Sequence, residues 1–304
     1  MARARLVDVE LEYATHGPER GPPVLLIMGI GQQLVAWPQA LLDALAAEGL
    51  FTVRYDARDT GLSTHFDHYL PPAIQEIMRQ AAQGNLHPAY RLEDMAQDAA
   101  RLLDALALSP AHVVGVSMGG IVGQLLAAHF PEHVASFTSI MSTTGEPDLP
   151  RARPEALMAL LKRPQGRDRA AVVAHGVQAR RALAGPGFKV PDAFWADLTG
   201  KAYDRDYSPA GFARHLMAVS AAPPRVEVLR AIRAPTLVIH GEDDPLIPPE
   251  CGRRTAARIP GARLELVRGM GHDLAPPLAP RLAASIAAHV RAVEAAQKAT
   301  GVRR

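Results

Sequence analysis

The chain has 304 residues, 48% hydrophobic and 21% charged, and its 33 Lys and Arg against 31 Asp and Glu give a formal net charge of +2. That length and apolar content fit one large domain or a domain with an insertion, and the dispersed basic residues argue against nucleic acid or strongly anionic partners. The single cysteine, Cys251, rules out an internal disulfide, no apolar run approaches a membrane span, and no apolar h-region follows Met1-Ala2-Arg3-Ala4-Arg5, so a soluble cytoplasmic protein is expected.

Leu6 to Tyr13 reads as a first strand and Val24 to Met28 as a second, buried one. Met28-Gly29-Ile30-Gly31 ends that second strand. Glycines on both sides of Ile30 let its N–H point inward as a donor to an oxyanion, with Gly29 as the neighbouring alternative and part of the substrate site. A helix is predicted over Trp37 to Ala47 and a strand over Phe51 to Tyr55. In the following Asp56-Ala57-Arg58-Asp59 the charges read as a structural turn with ion pairs. Thr64 to Tyr90 is irregular, with one helical stretch at Ile74 to Ala82. His65 and His68 flank Asp67 there, but without helical or strand context they are weak ligands, and no metal is expected. Leu92 to Leu106 is amphipathic, with Met95, Leu102, Leu103 and Leu106 inward and Asp94, Asp98, Arg101 and Asp104 outward.

His112 to Val116 is a continuous apolar strand, and Gly115-Val116-Ser117-Met118-Gly119-Gly120 follows from it. This is the pattern of a nucleophile elbow: a strand, a strained turn with a serine at its tip, then a helix, here Met118 to Phe130. The flanking glycines avoid collisions with the neighbouring strand and helix. The Met118 amide, at the start of the helix, is the second candidate oxyanion donor. A serine needs a base and an orienting acid, which in this setting should follow in the order serine, acid, histidine. After the strand Val134 to Ile140 the pattern changes, and residues 142–226 read as a helical cap with stretches such as Pro154 to Lys162, Ala170 to Leu183 and Gly211 to Ala221. Among its apolar residues Trp195 and Met217 are candidates for the pocket. A strand over Pro235 to His240 then leads into Glu242, Asp243 and Asp244, three competing carboxylates. Asp244 is preferred because Asp-Pro before the apolar pair Leu246-Ile247 fixes it where the loop turns inward, with Leu246 near substrate. Ala262 to Val267 is the last strand, and His272 on the loop after it is the expected base. His240, ending a strand, is read as a local packing residue.

Four stretches are together similar to the α/β-hydrolase superfamily along nearly the whole chain: Met28-Gly29-Ile30-Gly31 with Trp37-Pro38, Arg54 to Ser63, the elbow, and the acid and histidine loops. In detail the chain resembles the esterase group that includes the aclacinomycin methylesterase. It departs from many members at Met28, where His is common, and at Asp59, where Gly is common; a backbone oxyanion donor tolerates the first change. The resemblance implies an α/β fold with a mainly parallel central sheet flanked by helices, a hydrolase core at 1–141 and 227–304, and a helical cap at 142–226. It implies a serine hydrolase acting on carboxylic esters through Ser117, His272 and Asp244, without a cofactor. Short- to medium-chain esters come first, and small alkyl esters of a larger cyclic acid second. The same three residues would also serve a perhydrolase, a lactonase or a carbon–carbon bond hydrolase. A non-catalytic receptor on the same scaffold is the alternative of another class. The expected partner is a small-molecule ester, with neither nucleic acid nor membrane, and a homodimer stays open.

Overall fold

Strands β1 (Ala2–Arg5), β2 (Glu10–His16), β3 (Pro23–Ile27), β4 (Phe51–Tyr55), β5 (Ala111–Val116), β6 (Val134–Ile140), β7 (Thr236–Gly241) and β8 (Arg263–Val267) form a single sheet in the order β1-β2-β4-β3-β5-β6-β7-β8. The computed structural model describes residues 1–300; the basic tail Val302-Arg303-Arg304, read as a solvated terminus, lies outside the described residues. Pairing is antiparallel at β1-β2 and β2-β4 and parallel from β4 to β8. The expected strand Leu6 to Tyr13 is corrected: residues 6–9 form a turn, the strand begins at Glu10, and a separate strand precedes the turn. Ala2–Arg5 alternates outward arginines with the buried Ala4, and a turn closed by Leu6 N–H on the Val9 carbonyl (2.9 Å) folds it onto β2.

β5 and β6 are buried at every position; β5 accordingly reads as a nearly continuous apolar run, while β6 buries Ser136, Thr138 and Ser139 among its apolar residues. Their side chains still divide by the pleat. Leu25, Ile27 and Val113 join the cluster on one face, under α3 (Leu92–Ala105) and α4 (Met118–His129). Val24, Leu26 and Val114 join the other, under α1 (Gln39–Ala47) and α11 (Ala279–Thr300). The remaining helices are α2 (Ile74–Ala82), then five in succession between β6 and β7, α5 (Pro154–Leu161), α6 (Arg169–Leu183), α7 (Asp192–Arg205), α8 (Pro209–Ala221) and α9 (Val226–Ala231), and finally α10 (Pro249–Arg258). Among the described residues no helix is long and apolar enough to cross a membrane.

The charged turn after β4 ties the helical segment to the sheet. Asp56 accepts from Arg205 at the end of α7 (2.8 Å) and from the Leu34 amide (2.6 Å). Asp59 takes both arms of Arg214 on α8 (2.8 and 2.7 Å), the Tyr90 hydroxyl (2.6 Å) and the Phe66 amide (2.8 Å). Burial alone would raise the Asp59 pKa, but Arg214 and Tyr90 hold it below the ordinary carboxylate range. Arg58 binds Asp98 through two 2.7 Å bonds, and Asp98 is 2% exposed. Asp98 thus does not belong to the outer face of α3: helical periodicity places it at the boundary of the polar stripe, and the buried guanidinium draws it inward. His65, by contrast, hydrogen-bonds the Gly61 carbonyl (3.0 Å), and Asp67 pairs with Arg214.

Removing one member of a fully buried ion pair leaves an uncompensated charge, at a cost of about 3–5 kcal/mol. Asp59→Ala leaves the buried Arg214 with only the exposed Asp67 as counter-charge and is expected to lose about 3 kcal/mol, the low end of that range, in urea unfolding; a loss below about 1 kcal/mol would show that Asp67 or water replaces Asp59.

Candidate active site

Ser117 adopts φ 56° and ψ −118°, in the left-handed region that costs an ordinary side chain about 1–3 kcal/mol. Neighbouring bonds hold it there. Its N–H donates to the Ile140 carbonyl (2.9 Å), and its own carbonyl accepts from Ser142 Oγ (2.8 Å) and the Gly120 amide (2.9 Å). The turn closes only because positions 115 and 119 carry no side chain. A Cβ on Gly115 would stand 2.2 Å from the Gly119 carbonyl oxygen, and one on Gly119 would stand 2.1 Å from that of Ile27.

Ser117 Oγ lies 3.0 Å from His272 Nε2, and His272 Nδ1 lies 2.7 Å from Asp244 Oδ2. The other Asp244 oxygen accepts the amides of Leu246 (2.9 Å) and Ile247 (2.8 Å), the turn expected of Asp before Pro. Ionised Asp244 assigns the proton on His272 to Nδ1 and leaves the Nε2 lone pair facing the serine. The neighbouring carboxylates do other things. Asp243 Oδ2 accepts the Gly269 amide (2.8 Å) at the root of the histidine loop, while Glu242 is exposed. His240 hydrogen-bonds the Ile247 carbonyl (2.8 Å), and burial pushes its pKa down.

The helical segment holds the histidine loop from the other side. The His272 N–H donates to the Leu183 carbonyl at the end of α6 (2.8 Å), and the Gly187 N–H donates to the Gly269 carbonyl (2.9 Å). A second tie lies on the opposite wall. His215 on α8 is fully buried; its Nε2 donates to the Arg58 carbonyl (2.7 Å) and its Nδ1 accepts the Gly31 amide (3.1 Å), beside Ile30. Burial pushes its pKa down to about 4, so the neutral ring that this bonding requires is the stable form. Neither tie was legible in the sequence, because each joins segments more than 80 residues apart through a backbone group.

A cavity of about 540 Å³ opens over Ser117 and His272. Gly29, Ile30, Met118, Trp195 and Leu246 line it, as expected for substrate or oxyanion contacts. Met118 is the first residue of α4, so its amide has no partner in the helix's own ladder. Met217 does not line the cavity. It is 1% exposed and packs with Ile77, Leu86 and Leu216 beneath α2, on the face of α8 turned from the opening. The cavity wall also includes charged residues that the sequence did not single out as site residues, among them Lys162, Arg163, Asp206, Arg180 and Asp273; the last two are coupled electrostatically at the histidine loop.

Asp273 follows His272 and is 3% exposed, and its Oδ2 has no hydrogen-bond partner. Burial pushes its pKa up to about 6, although Arg180 and His272 pull the other way. The folded protein therefore keeps a proton here that the unfolded chain, with an ordinary carboxyl, has released. Stability should fall as pH rises from about 4 to 6 and stay lower above that window. Asp273→Asn removes this titration. The gap in unfolding free energy between variant and wild type should move in the variant's favour by about 2 kcal/mol from pH 4 to pH 7. A gap that does not change with pH would contradict the buried-acid assignment.

Residues 22–275 match the family model of the α/β hydrolase fold. The chain is 34% identical over 302 residues to rhodomycin D methylesterase DauP of Streptomyces sp. strain C5, covering 91% of this chain and 93% of that protein. It is 29% identical over 265 residues to 3-oxoadipate enol-lactonase 2 of Acinetobacter baylyi, covering 86% and 85%. Among solved structures, a meta-cleavage product hydrolase from Pseudomonas fluorescens IP01 superposes with a TM-score of 0.72 at 19% identity, covering 93% and 94%. The sheet order, the serine turn after β5 and these likenesses agree, and the chain belongs to the α/β-hydrolase family.

Proposed function

We propose that the protein is a serine hydrolase of carboxylic esters, with Ser117 as nucleophile, His272 as base and Asp244 as the acid that orients the base. One observation carries this reading: a single imidazole bridges Ser117 Oγ and Asp244, at 3.0 and 2.7 Å, on the wall of the cavity. His272 Nε2 takes the serine proton as Oγ attacks the ester carbon, and Asp244 stabilises the imidazolium that forms. The Ile30 and Met118 amides receive the oxyanion. Collapse of the tetrahedral species expels the alcohol, which takes its proton from His272. Water then attacks the acyl-enzyme with His272 again as base, and Ser117 regains its proton. Residues 142–226 act as a cap over the site, supported by the backbone bonds from His272 to Leu183 and from Gly187 to Gly269.

The cavity volume lies within the range of sites for compact small molecules. Short- to medium-chain acyl groups fit it, and so does a small alkyl ester of a larger cyclic acid. The methylesterase name of the relative at 34% identity supports the second. Kinetics on p-nitrophenyl esters and on methyl esters of cyclic acids test the reading. Ser117→Ala should lower kcat by about 10³-fold or more while remaining folded. Asp244→Asn should lower it by 10²- to 10⁴-fold, because the wrong tautomer then faces the serine. Glu242→Gln should stay within about threefold, and Asp243→Asn should fall between, through the histidine loop it anchors. An Asp243→Asn enzyme as crippled as Asp244→Asn would show that the orienting acid is misassigned.

A further inference from the structure

Arg180 enters the cavity wall from α6. Its Nη2 donates to Gln32 Oε1 (2.6 Å), and its guanidinium lies over the Trp195 ring, 5.2 Å from the centroid. Four other arginines of the helical segment have carboxylate partners, Arg169 with Asp204, Arg181 with Asp192, Arg205 with Asp56 and Arg214 with Asp59, whereas Arg163 on the same cavity wall donates to the Pro209 carbonyl and Arg225 to the carbonyls of Pro223 and Thr143. Arg180 forms no such pair within 4.0 Å among the described residues. The acid whose field reaches it is Asp273, and that carboxyl is itself pushed toward its neutral form by burial. Burial disfavours the Arg180 charge as well, yet a guanidinium does not give up its proton. One arm of the fork is occupied by the neutral Gln32, Trp195 lies against its plane, and its remaining N–H groups have no hydrogen-bond acceptor among the described residues. A planar cation placed in this way in a largely apolar chamber is set to receive an anionic oxygen, and the low dielectric strengthens that contact.

We propose that Arg180 holds an anionic oxygen of the substrate's acid portion, a carboxylate or an ionised enol or phenol, so that the preferred ester carries a negative group besides the bond to be cut. This rests on the ester-hydrolase reading above. Gln32 and Trp195 position the guanidinium, and Ser117 acts on the ester end of the same molecule. Specificity follows from a difference: a neutral ester leaves the half-buried Arg180 with no carboxylate within hydrogen-bonding reach, only the more distant field of Asp273, and an anionic one supplies a direct partner.

Two measurements test this. The first compares kcat/KM on the monomethyl and dimethyl esters of glutaric and adipic acids. Wild type should favour the monoester, which carries a free carboxylate, by about tenfold or more. That preference should fall to about unity in Arg180→Met and be partly restored in Arg180→Lys. No preference in wild type, or one that survives Arg180→Met, overturns the proposal. The second is calorimetry with benzoate and its neutral counterpart benzamide on the Ser117→Ala protein, which needs no turnover. Benzoate should bind about tenfold tighter or better, and should lose that advantage when Arg180→Met is added. Equal or absent binding of benzoate overturns the proposal even if neutral esters are cleaved. Arg180-dependent benzoate binding by a protein that cleaves no ester would uphold it and overturn the hydrolase reading alone.

Discussion

A serine backbone at φ 56° is held only where the chain around it cannot relax, and the rest of the site is arranged about that constraint. β5 delivers Ser117 between two buried neighbours, β3 and β6, and α4 begins at the next residue. The helix approaches the strands so closely that positions 115 and 119 have no room for a methyl group. With the backbone fixed by Ile140, Ser142 and Gly120, Oγ has one exit, toward the imidazole of His272. The strain at one residue is thus the local cost of a fixed serine position, and the packing of the whole sheet maintains it.

The histidine has no such rigid element beneath it. It sits on a loop, and precision there comes from cross-links. Asp244 fixes one ring nitrogen, Asp243 anchors the loop at Gly269, and the Leu183 carbonyl takes the His272 amide. The last bond comes from the helical segment, which therefore helps to hold His272 in place. That segment is fixed in turn by Arg205 on Asp56 and Arg214 on Asp59, in the turn after β4. His215 completes the circuit by holding both Arg58 and Gly31. Displacing the helices would therefore disturb Ile30 on one wall and His272 on the other.

What the sequence disclosed, and what it hid, follows from the range of the forces involved. Backbone constraints leave local marks. The glycines about Ser117, the Asp-Pro before Leu246 and the small residues before His272 announced the elbow and the two loops, and the three side chains do meet. Alternation and apolar runs announced most of the sheet. Periodicity failed where a distant partner decided the outcome. Asp98 looked like a solvent-facing residue of α3 until Arg58, 40 positions away, claimed it. Met217 looked available to the pocket because helical spacing does not tell which neighbour a helix turns toward, and α2 took that face. Arg180 and His215 left no local sign at all. Their meaning lies in what stands opposite them, Gln32 and Trp195 in one case and Gly31 and Arg58 in the other.

The central claim is that one serine, made reactive by its turn and by His272, carries the chemistry. It is tested most directly by treating the native protein with a fluorophosphonate and mapping the adduct by peptide mass spectrometry. A competent site gives a single, stoichiometric adduct on the peptide containing Gly115-Val116-Ser117-Met118-Gly119, abolished by prior heat unfolding. An adduct on any other serine, or no adduct on protein shown to be folded, would contradict the account.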